Sequence, residues 1–265
     1  MAQRALPERE TRLGRPRGAV GRAPHAVVLV LPGGGSAGGA RGGARGASLA
    51  AAAAAVPLAR RLGRAGSDDD PLVSHLVRYR GGSRAAGGDG GGGRVQECAA
   101  DAERAVEEVV RRYGDVPVCL VGIDIGAPAA LRAAGHQAVG SVVALGPLLS
   151  ADGDAADSEP VQQLRGRQVL IVHGTNDTRC DPELSFRLAE RAKKVNAQVC
   201  RFEVHSDGHG LRGYSAEVAA LTEDFVLGTL CGGDLCRPLT DALAAPPPLG
   251  LRMPLAGGFG KGLKR

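Results

Sequence analysis

Three side chains able to move protons or attack an electrophile stand where the sequence changes from a buried strand to a loop. Asp124 lies in residues 116–131, VPVCLVGIDIGAPAAL, where an apolar run passes through Gly122-Ile123-Asp124-Ile125-Gly126 directly into a helix-forming stretch. Asp177 closes Thr175-Asn176-Asp177 after the run VLIVHG, and His209 stands in Asp207-Gly208-His209-Gly210 after CRFEVH. A carboxylate can attack carbon or take a proton, and an imidazole exchanges protons near neutral pH. Each occurrence alone carries little weight. A GxDxG string is common in a chain with 41 Gly, a lone loop His is usually solvated, and an Asp after a strand is often only a helix cap. Their shared position past strand ends is what makes them informative.

Such groups need a sheet to hold them. Residues 25–31, HAVVLVL, are apolar at nearly every position, as in a strand buried on both faces, and stop at Pro32-Gly33-Gly34-Gly35. Residues 49–62 are alanine-rich and helix-prone, with Pro57 as a local objection, and 72–79 predict a second strand. Residues 81–93 are expected to be a flexible glycine loop. Ala99, Ala102, Val106, Val109 and Val110 then recur at helical spacing over 95–113. The order continues with strand 116–121, helix 127–134, strand 139–145, a loop with a short helix, strand 168–173, helix 182–195, strand 198–205 and helix 216–230. This alternation predicts an α/β fold, a doubly wound and mostly parallel sheet that binds ligands at the carboxyl ends of its strands. Residues 1–24 are expected to be a disordered basic arm, 25–230 the folded domain, and 231–265 a disordered Pro/Gly/basic tail.

The strand, GxDxG turn and helix around Asp124 resemble the nucleophile elbow of the α/β-hydrolases. In that motif two small residues permit a strained turn, which lifts the central side chain above the sheet at a helix N-terminus that favours negative charge. The resemblance spans roughly residues 25–230 and implies roles: Asp124 at the nucleophile position, Asp177 as the acid, His209 as the base, in the family's chain order. It also implies an oxyanion loop in which Gly34 or Gly35 acts with the backbone N–H of Ile125. The elbow carries Asp where most members carry Ser. A literal GxSxG at residues 34–38 follows the first strand without a helix behind it and is read as accidental. Asp at the elbow has a precedent in haloalkane dehalogenases and epoxide hydrolases, whose carboxylate attacks an sp3 carbon with help from Trp or Tyr. Here there is no Trp, and of the three tyrosines only Tyr79 is placed near the site. The short stretch between Asp124 and Asp177 leaves no room for a cap, so the outline resembles small capless members of the esterase or dienelactone-hydrolase type.

The leading expectation is a hydrolase of a small organic substrate, with Asp124 as nucleophile or general base. The alternatives are an impaired member that binds a small molecule or a protein partner, and an esterase using Ser36 or a cysteine such as Cys180. Two carboxylates beside His209 are expected to raise its pKa. His173 and His205 are expected in strands with packed structural roles, and His136 in a loop.

Composition narrows the field. The chain has 265 residues, enough for one domain, and is 43% hydrophobic but only 3% aromatic, which argues against sites built on ring stacking. Its longest apolar stretches fall far short of the roughly 20 residues of a membrane span, and no leader pattern opens it, so a soluble cytoplasmic protein is expected. The net charge of +5 comes from dispersed Arg, so nucleic acid is not expected as a partner. No metal or cofactor is expected: Asp68-Asp69-Asp70 and the histidines lack closed ligand spacing, and no GxxxxGK[ST] is present. The substrate and the oligomeric state stay open.

Overall fold

The apolar runs pair side by side because their residues alternate between two helical layers. The computed structural model describes residues 12–34, 44–79, 92–150 and 159–261. Its eight strands are β1 (Arg17–Gly18), β2 (Ala26–Leu31), β3 (Leu72–Leu76), β4 (Val118–Ile123), β5 (Val139–Leu145), β6 (Gln168–Gly174), β7 (Val199–Val204) and β8 (Met253–Pro254). Its helices are α1 (Ala44–Arg64), α2 (Gly92–Tyr113), α3 (Gly126–Ala133), α4 (Pro182–Val195), α5 (Ser215–Leu230) and α6 (Arg237–Ala244). The strands form one sheet in the order β1-β3-β2-β4-β5-β6-β7-β8, parallel throughout except for the antiparallel β1–β3 pair. Val27, Leu29 and Leu31 of β2 join a core with α2, α3 and α4, whereas Ala26, Val28 and Val30 join one with α1, α5 and α6. Alternate side chains of a strand point to opposite faces, so burial on both faces explains the unbroken apolar sequence.

The winding decides where a ligand can sit. From β2 the chain goes to β3 on one side and then crosses back to β4 on the other. Connections leaving β2 and β4 therefore diverge, and a crevice opens at their carboxyl ends. The loop Pro32-Gly33-Gly34 leaves β2 there, and Asp124 leaves β4 there.

Three expectations change. Pro57 lies inside α1 without ending it: the carbonyl that loses its helical donor belongs to Ala53, an exposed residue. The arm expected over 1–24 is partly built into the sheet, since β1 pairs with Val73 and Ser74, and buried Leu13 bridges to Val77. The tail expected over 231–265 also folds. Leu239 and Ala242 of α6 are fully buried, Leu251 packs on the opposite layer, and β8 extends the sheet beside Phe202 and Glu203. Lys193 fixes the end of α6 by donating from Nζ to the carbonyls of Ala242 and Leu243, at 3.4 and 2.9 Å. The expected glycine loop falls mostly outside the described residues, although Gly92 and Gly93 open α2.

Candidate active site

The turn after β4 is sterically committed. A Cβ on Gly122 would lie 2.2 Å from the Gly126 carbonyl oxygen, and one on Gly126 would lie 2.4 Å from that of Leu31. Neither backbone can yield, so these glycines reflect close approach rather than composition. Between them Asp124 has φ +55°, in the left-handed region that costs an L residue about 1–2 kcal/mol. The turn is pinned by Asp124 N–H donating to Leu145 O, and by Asp124 O accepting from Ala127 and Leu148 N–H. Such strain persists where surrounding structure enforces it, and here it lifts the carboxylate to the start of α3. No side chain caps that helix at Ile125.

Across the crevice, Gly33 abuts the carboxylate: a Cβ there would be 2.9 Å from Asp124 Cβ. Gly34 adjoins Ile125, whose Cγ2 would be 3.2 Å from an added Cβ, and the Arg94 guanidinium lies on the same side. Tyr79 holds the loop from behind by donating its hydroxyl to Pro32 O at 3.0 Å. Burial, followed by nearby acidic groups that include Asp124, pushes that hydroxyl well above its ordinary pKa, so it remains a donor. Gly34 and Ile125 thus adjoin, while Gly35 and Ser36 lie outside the described residues.

His209 joins the two carboxylates. Its Nε2 is 3.1 Å from Asp124 Oδ1 and its Nδ1 is 2.6 Å from Asp177 Oδ2. Glycines again allow the approach, because a Cβ on Gly146 would be 2.7 Å from His209 O and one on Gly174 would be 2.4 Å from Asp207 O. Asp207 braces the loop by accepting from Gly208 and Tyr214 N–H. Asp177 is a saturated acceptor, with Oδ1 taking the N–H groups of Arg179 and Cys180 at 2.8 and 3.1 Å. Burial alone would raise its pKa, but donation from His209, from these two amides and from His173 holds it below the ordinary value. Burial pulls His209 down, yet hydrogen bonds and charge from Asp124 and Asp177 outweigh it and raise its pKa.

Two participants are missing from the sequence reading. His173 is not merely packed: its Nε2 lies 2.9 Å from Asp177 Oδ2. Arg179 places Nη2 3.7 Å from Asp124 Oδ1. The spacing of His173 and Asp177 across the turn HGTND is the signal that could have found the first. His205 is exposed in the turn after β7 rather than packed in it, and His136, in the turn before β5, accepts from Ala138 N–H. Cys180 is buried and its thiol is raised by burial, which makes it a poor nucleophile. Among the described residues no cluster of His, Cys, Asp and Glu could hold a metal, and no helix is long and apolar enough to cross a membrane.

No protein-family model matches the sequence, and a search of curated proteins finds no match. Solved structures do match. XC6422 from Xanthomonas campestris, described as an a/b serine hydrolase without lid, aligns with TM-score 0.54 and 17% identity over 80% of this chain and 84% of its own. The Pyrococcus furiosus esterase Pf2001 gives 0.58 and 14% over 78% and 83%. A thermophilic esterase from Thermogutta terrifontis, Est2, gives 0.57 and 18% over 82% and 90%. The fold is that of the α/β-hydrolases. Within this α/β-hydrolase fold, Asp124 occupies the strained strand-to-helix turn.

Proposed function

We propose that the protein is a hydrolase of small organic electrophiles that works through Asp124, His209 and Asp177. The observation that carries this reading is the imidazole of His209 spanning both carboxylates, one of them raised on a strained turn. An ordinary ester is a poor substrate for a carboxylate nucleophile, since attack on its carbonyl yields an anhydride. An sp3 carbon with a leaving group is suitable. Asp124 attacks that carbon through one oxygen, the carbon–halogen or carbon–oxygen bond breaks with its electron pair leaving on halide or on an oxygen that takes a proton from water, and an alkyl ester of Asp124 remains. Neutral His209, oriented by Asp177, then takes a proton from water, and the hydroxide adds to the Asp124 carbonyl carbon. Backbone N–H groups of Gly34 and Ile125 are the donors this reading assigns to the oxyanion. Collapse expels the alkoxide, which takes the proton from His209, and the Asp124 carboxyl group loses its remaining proton to water to regenerate the carboxylate.

Single turnover in heavy-oxygen water tests this route. The label is expected in the Asp124 carboxylate and not in the first alcohol released. Label in that alcohol would instead make Asp124 a general base.

One observation favours a second reading, a binding protein that has lost turnover. The raised pKa of His209 favours an imidazolium closed on Asp124, and an imidazolium cannot take a proton from water. Turnover that climbs at alkaline pH decides for the enzyme, whereas none at any pH, with a bound small molecule detected, decides for the binder.

A further inference from the structure

Asp177 has a second imidazole that the proposed reaction does not use. His173, near the end of β6, is completely buried, and its Nε2 meets the same Asp177 oxygen that receives His209 Nδ1. Behind it, Ser185 Oγ of α4 lies 2.8 Å from His173 Nδ1 and accepts from Arg201 Nε of β7 at 2.9 Å. Ser185 can give its proton to Nδ1 or to Pro182 O, and Pro182 O is already served by Arg201 Nη2 at 3.1 Å. The Asp177 carboxylate only accepts, so the ring meets it with a proton on Nε2, and a neutral ring then leaves Nδ1 bare to accept from the Ser185 hydroxyl. Burial, aided by the charges of Arg201 and His209 and opposed by Asp177, holds His173 below the ordinary imidazole pKa, consistent with a neutral ring.

We propose that His173 is a positioning residue for His209. By donating Nε2–H to Asp177 it fixes the carboxylate rotamer that faces His209 and takes up part of a negative charge that would otherwise act on His209 alone. The groups facing His173 are Asp177, Ser185, Arg201 and His209; those facing His209 are Asp177 and Asp124, the latter shared with Arg179. This inference takes the role of His209 as base from the proposed function, but its test reads protonation rather than turnover.

Nitrogen NMR of the histidine rings in the unmodified protein is expected to show His173 neutral, protonated on Nε2 and bare on Nδ1, throughout the titration of His209. An Nδ1–H tautomer, or His173 titrating with His209, overturns the proposal. His173→Leu removes the donor, concentrates the Asp177 charge on His209 and is expected to raise its midpoint by about half a pH unit or more. His173→Gln, whose amide N–H can reach Asp177, is expected to return the midpoint toward that of the unmodified protein. An unchanged midpoint in folded His173→Leu overturns the proposal as well; should that variant not fold, the ring states of the unmodified protein decide. A protein with these ring states and no turnover keeps the His173 assignment and loses the hydrolytic reading.

Discussion

His209 Nε2 stands 3.1 Å from Asp124 Oδ1, so the group read as the base and the group read as the nucleophile already share a hydrogen bond. A serine at the elbow would donate to that nitrogen. An ionised carboxylate can only accept, so this hydrogen bond forms when His209 carries a proton on Nε2.

That relationship gives a direct test of charge. Asp124→Asn removes one of the two carboxylates that raise His209, so the imidazole midpoint is expected to fall toward the ordinary value of about 6.5. Histidine-ring NMR across pH checks it; an unmoved midpoint would mean the two side chains do not interact in solution.

Stability and turnover are expected to run in opposite directions with pH. The folded pKa of His209 lies above its unfolded value, so its contribution to stability is fully present below the unfolded pKa and lost as pH rises through the folded one. Turnover needs the unprotonated ring and climbs through the same window. Asp177, with its folded pKa lowered, contributes above its unfolded value of about 3.9 and loses that contribution as pH falls through the folded one. Thermal melts and rates measured side by side check the crossing, and parallel rises in both on the alkaline side would contradict it.

The glycines divide into required and incidental. Gly126→Ala would set a methyl 2.4 Å from Leu31 O and is expected to cost about 3 kcal/mol or more, whereas Gly140→Ala meets nothing within 4 Å and should change stability by about 0.5 kcal/mol or less. Urea unfolding of the two variants checks the contrast.

Leu239 tests the folded tail. Its side chain is fully buried in the layer with α1 and α5, and Leu239→Ala is expected to lose about 2–4 kcal/mol. A loss near zero by denaturant titration would mean that α6 is not part of the core.

What the sequence disclosed is what repeats locally. The runs AVVLVL and QVLIVHG announce doubly buried strands, and the change from strand to glycine turn to helix announces the turn that carries Asp124. Asp177 and His209 were legible because each follows such a run. His173 was passed over because its four-residue spacing to Asp177 becomes a contact only when the turn after β6 reverses. Arg179 is one of many arginines, and only folding sets it near Asp124. The ends escaped for different reasons. β1 pairs through two residues of backbone, which leaves no side-chain pattern, and the apolar positions of α6 are few and lie close to a Pro-rich stretch.

The central claim is that Asp124 forms a covalent ester which His209 helps to break down. Intact-protein mass spectrometry of His209→Ala, after incubation with alkyl halides, epoxides, lactones and activated esters, tests it most directly, with peptide mapping of any adduct. An accumulating alkyl adduct on Asp124 is the predicted result. An adduct on Ser36 or a cysteine, or none from a panel that the unmodified protein does turn over, would contradict it.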